Sequence, residues 1–169
     1  MPDSLAGLPL HPLLVHATVV IVPAAAISVF LAAVWPRFRR WAGPLPLCLA
    51  VAGLILDPLS TSSGESLEHQ VGHNPLIEKH AELADGLLPW MIALVAMAAA
   101  LYVWQWRQSR RDAAENAGSP AWVSVVISVL AVVAALGASV QVVLIGHSGA
   151  KAAWSDVGSQ SASSHTASK

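Results

Sequence analysis

Apolar residues fall into four long blocks separated by short polar stretches. The first runs from Leu13 to Trp35 without a charge. The second runs from about Trp41 to Leu59. It carries one acid, Asp57, near its end and is interrupted by Pro44, Pro46 and Pro58. The third runs from about Leu87 to Trp106, and the fourth from about Trp122 to Gly146, again uncharged. A helix crosses the hydrocarbon core of a bilayer with about 20 mostly apolar residues, so each block predicts one span. None has the wide polar face of a surface helix. The pattern predicts an all-α fold, an integral membrane four-helix bundle.

Proline marks where helices begin. His11-Pro12, Asn74-Pro75 and Ser119-Pro120 each place proline at a first helical position. Asn74 and Ser119 can cap the free amides that follow them. The third helix is therefore expected to start near Pro75, outside the membrane, and to enter it around Leu87. Pro23 and Pro89 fall inside helices and are expected to bend them. Met1 to Gly7 holds no Lys or Arg, so the basic n-region of a signal peptide is missing, and the first block is expected to stay as a helix. Residues 1–156 read as one four-span domain. The Ser- and Ala-rich stretch 157–169 reads as a disordered tail.

Composition narrows the class. The chain is 55% hydrophobic and 11% charged, against roughly a quarter charged for soluble proteins. A net charge of -1 leaves no basic footprint for nucleic acid. The single Cys48 excludes an internal disulfide and a cysteine zinc site, and its place in the second span predicts an inert packed thiol. Charge also orients the chain. Arg37, Arg39 and Arg40 lie in the first connection, and Arg107, Arg110 and Arg111 in the third. Short cytoplasmic loops carry the Lys/Arg excess, so both termini are expected on the extracytoplasmic side. Trp35, Trp41, Trp104, Trp106 and Trp122 gather at the inner boundary as an aromatic belt, with Trp90 and Trp154 available for the outer one. Small residues four apart, as in Ala24-Ser28-Ala32 and Ala131-Ala135-Ser139, and a similar stripe of Ala93, Ala96 and Ala100, let membrane helices pack closely.

With this orientation every histidine falls on the outer side: His11, His16, His69, His73, His80, His147 and His165. Asp57, Glu65, Glu68, Glu78, Glu82 and Asp85 join them. His16 sits about 6 Å along the helix from Pro12, inside the apolar run. If the second helix continues past Pro58 and Gly64, Asp57, Thr61, Glu65 and Glu68 form one stripe. Gln141 and Ser148 share a stripe on the fourth helix, with His147 beside it. Ionisable groups in a membrane are costly and usually face the bundle interior and a partner. The residues imply a polar pocket in the outer half, with His16, Asp57 and His147 deepest.

Four stretches resemble a known family. They are Gly7-Leu8-Pro9-Leu10-His11-Pro12-Leu13-Leu14-Val15-His16, Thr61-Ser62-Ser63-Gly64-Glu65-Ser66-Leu67-Glu68, His80-Ala81-Glu82-Leu83-Ala84-Asp85 and Gly146-His147-Ser148-Gly149-Ala150-Lys151. Together they resemble a bacterial four-helix membrane family catalogued as domain of unknown function 2231, over roughly Gly7 to Trp154. The resemblance implies a multi-pass protein of the bacterial cell membrane and supplies no reaction.

Three readings of the outer cluster stand side by side. In the first it binds haem b or a transition-metal ion and passes electrons to other membrane or redox proteins. His16 and His147 are then the axial pair, His80 and His11 are alternatives, and Glu65, Glu68 and His80 are the metal set. No C-x-x-C-H, H-E-x-x-H or paired Glu-x-x-His pattern accompanies it. In the second, Asp57, Asp85, Gln141, Lys151 and the histidines are proton-linked, in a subunit of a membrane complex. In the third they only hydrogen-bond one another and cap helix ends. Catalysis has the least support. Ser148 beside His147 is not a triad without an orienting acid, and the sequence around it is not a nucleophile elbow.

Overall fold

The structure, a computed structural model, describes the backbone of residues 4–5, 8–71, 75–113 and 121–166, and the side chains of 13–65, 75–111, 121–151 and 154. Ser4–Leu5 (β1) pairs antiparallel with Leu8–Pro9 (β2). Six helices follow: α1 Leu10–Val34, α2 Pro36–Ala42, α3 Leu45–Val71, α4 Pro75–Asp85, α5 Leu88–Ala113 and α6 Ala121–Thr166. The tail expected to be disordered lies beyond the described side chains.

Four stretches are long and apolar enough to cross a membrane: Leu13–Val34, Leu45–Glu65, Pro75–Arg111 and Ala121–Lys151. The protein is thus a multi-pass, four-span membrane protein. Its spanning helices form a ring in the order α1, α3, α5, α6. Each packs along its two neighbours, and α1 and α5 meet little across the middle. The short α4 lies against α6 and α3.

The core follows heptad-like spacing. Leu87, Met91, Leu94, Ala98 and Leu101 at the end of the α4–α5 turn and along α5 are buried, at alternating steps of four and three. Val22, Ala25, Ala26, Val29, Ala32 and Ala33 face them from α1, and Ala131, Ala134, Ala135 and Ala138 from α6. Alanine supplies most of these buried positions. Lipid is as apolar as leucine, so packing in a membrane gains from close approach more than from hydrophobicity. Buried Ser28 returns its hydroxyl to the Ala25 carbonyl at 2.9 Å and leaves no polar group unpaired. The stripe expected from Ala93, Ala96 and Ala100 is only half used. Ala96 is exposed, and the residues between carry the contact.

Three breaks set the connections. Pro36 opens α2 at its first position, after Trp35 leaves the helix in an extended conformation. Gly43 closes it at φ 56°, a left-handed backbone that suits glycine. At Gly86 the third predicted helix divides into α4 and α5. Pro89 therefore falls in the first turn of α5, where it starts a helix instead of bending one. By contrast α3 runs through both Pro58 and Gly64 to Val71.

Candidate functional site

The polar groups meet at the end of the bundle formed by the C-terminal part of α3, by α4, and by the second half of α6. His80 of α4 lies 2.9 Å, Nδ1 to Oγ, from Ser148 of α6. The Ser148 hydroxyl is also 2.9 Å from the Ile145 carbonyl, one turn back. A hydroxyl carries one proton. With that proton on Ile145, the His80 Nδ1–H donates to Ser148, and Nε2 of the neutral ring is left as an acceptor. Gly149 makes room for this ring. A Cβ there would stand 3.0 Å from His80 Cε1.

One turn further along α4 and two turns back along α6, the Gln141 side-chain amide donates to the Leu83 carbonyl at 2.6 Å. Leu83 is in the last turn of α4, where carbonyls have no helical partner. Gln141 therefore caps α4 from outside. Gly86 leaves it the space: a Cβ at Gly86 would come 2.6 Å from Gln141 Nε2. Gln141 and Ser148 are seven residues apart, about 20° round the helix from each other. Both reach α4, as their shared stripe predicted.

Among the described residues Asp57 is the most buried acid, only 3% exposed within α3. Asp85, at the end of α4, is exposed and acts on it electrostatically. Glu65, two turns further along the α3 stripe, is exposed. The hydroxyls between them turn back on their own helix. Thr61 donates towards Asp57 and Pro58 carbonyls at 3.3 and 3.1 Å, Ser62 to Leu59 at 3.3 Å, and Ser63 to Ser60 at 2.8 Å.

Other predicted members lie elsewhere. His16 and His147 are both exposed, and Lys151 is exposed on α6. The side chains of His11 and Glu68 fall outside the described residues, as do those of His69, His73 and His165. Among the described residues no three His, Cys, Asp or Glu side chains come together in a group that could hold a metal ion. Cys48 is exposed on α3, so the expectation of a packed thiol is corrected. Trp90, offered to the outer belt, instead lays its ring over Gly137, where a Cβ would collide with it.

Sequence reasoning missed a second polar feature at the opposite end. There Arg39 is buried, and its Nε and Nη1 have no hydrogen-bond partner among the described residues. The signal was its position. Arg37 and Arg40 flank it and are exposed, so of the three arginines on this short helix only Arg39 turns toward the bundle.

Fold and site together define a four-span α-helical membrane protein with a polar cluster at one end. No curated protein and no solved structure matches the chain. The family model described as "Predicted membrane protein (DUF2231)" matches residues 7–161, and the chain belongs to that family.

Proposed function

We propose that this protein is a proton-linked subunit of the membrane, whose α3–α4–α6 end exchanges protons with the extracytoplasmic side. The observation that carries this reading is Asp57, buried in an apolar span and within electrostatic range of the exposed Asp85. A carboxyl in such surroundings is costly as a fixed charge, and a second carboxylate within range disfavours that charge further. His80, on the same helix as Asp85 and with its ring fixed by Ser148, is a group able to accept a proton. The arginine distribution supports both termini lying outside the cytoplasm.

The test is infrared difference spectroscopy of the purified protein between acidic and neutral buffers. Wild type is expected to show a protonated-carboxyl band that Asp57→Asn removes and Asp85→Asn displaces. Identical spectra from wild type and Asp57→Asn would overturn the proposal.

Haem b or metal binding for electron transfer draws less support from the same residues, because His16 and His147 are exposed and His80 is engaged by Ser148. A Soret band in protein expressed with haemin, lost in His16→Ala and His147→Ala, would reverse that preference.

A further inference from the structure

We infer that Arg39 is the receptor for one anionic oxygen of a phospholipid headgroup, at the end of the bundle opposite the carboxyl pair. The inference is independent of the proton-linked reading. Arg39 is 9% exposed. Its Nε and Nη1 are buried with no partner among the described residues. Burial, and then the neighbouring Arg40 charge, pull this guanidinium below its ordinary pKa. That is the direction for a cation no acid has balanced. An unpaired buried charge is among the costliest features a fold can hold. Water could satisfy the N–H groups but not the charge.

The surroundings select the ligand. Arg39 lines a cavity of about 10 Å³ with Ala32, Gly43, Leu47, Leu101 and Tyr102. That is room for one oxygen-sized atom. A whole phosphate does not fit, so the rest of the ligand must lie at the surface. There α2 exposes Arg37 and Arg40. Phe38 stacks with Trp35 at 6.4 Å and meets Trp41 at 5.8 Å. Trp35 and Trp41 are 54% and 78% exposed, as interfacial tryptophans are at headgroup depth. An anionic headgroup at that level can place one oxygen on Arg39 and the remainder toward Arg40 at the surface. A free anion has no such anchorage.

The experiment is native mass spectrometry and thermal unfolding of the full chain in detergent. The probes are phosphatidylglycerol, phosphatidylcholine and inorganic phosphate. Wild type is expected to retain phosphatidylglycerol and to unfold at a higher temperature with it, and phosphatidylcholine and phosphate are expected to do neither. Arg39→Gln is expected to bind at least about tenfold more weakly, the loss for a charged hydrogen bond. Arg39→Lys is expected to recover part of the binding, and Arg37→Gln to lose little. Equal retention by wild type and Arg39→Gln would overturn the assignment. An equal thermal shift from inorganic phosphate would replace the lipid by a free anion. No retention by wild type, a measurement needing no variant, would also overturn it.

Discussion

Gly86 and Gln141 are expected to be energetically coupled, because one occupies the space the other lacks. In the wild type Gln141 Nε2 donates to the Leu83 carbonyl at 2.6 Å. A methyl at residue 86 would sit 2.6 Å from that nitrogen. The nitrogen is the end of a flexible side chain, so Gly86→Ala can be accommodated by moving Gln141 away. The cost is then the hydrogen bond itself, together with a carbonyl left unpaired at the end of α4. Such a bond contributes about 0.5–1.5 kcal/mol, toward the lower end within a membrane. Gln141→Ala removes the same bond directly. Once it is gone, the nearest atom to the added methyl is the Leu83 carbonyl oxygen, at 3.3 Å. The double variant is therefore expected to be more stable than the sum of the two losses, by about 1 kcal/mol. Reversible unfolding in mixed micelles, run as a double-mutant cycle, measures this directly. Additivity within about 0.3 kcal/mol would refute the reasoning, because the two residues would then not share a bond.

Two further outcomes follow from the packing and the charge pattern. Gly137→Val drives a branched side chain into the Trp90 ring and is expected to cost about 1–3 kcal/mol in the same assay; Val133→Leu, at an exposed position one turn back, is expected to stay within about 0.5 kcal/mol. Reporters inserted in the α1–α3 connection near Gly43 and in the segment 114–120 are expected to read the cytoplasmic side, and one at 72–74 the opposite side. Any other pattern would reverse the orientation drawn from the arginines.

Much of the site was readable from spacing. Gln141 and Ser148 share a face because seven residues nearly complete two helical turns, and His147, one residue short of Ser148, points elsewhere. The starts of α4 and α6 were readable from Pro75 and Pro120, and the ends of the spans from the tryptophans. The continuity of α3 was not, since Pro58 and Gly64 argue locally for a break that packing overrides. The division at Gly86 was hidden too. There Pro89 has no N–H to offer the Asp85 carbonyl, and the Leu83 carbonyl is capped by the Gln141 side chain, fifty-five positions from Gly86 in the chain.

By itself the sequence determined that this chain has four apolar helices, where the polar residues lie along them, and which ends carry the arginines. These follow from local pattern, because any span must be about 20 apolar residues long whatever its neighbours do. Which face of each helix turns inward was decided by the tertiary structure. In a soluble protein the inner face is marked by its hydrophobicity. Here lipid and core are alike in polarity, so Cys48 and Ala96 read as interior from the sequence yet are exposed. Arg39, in a run of charges that reads as solvated, is held inside the bundle by the turn at Trp35 and the left-handed Gly43.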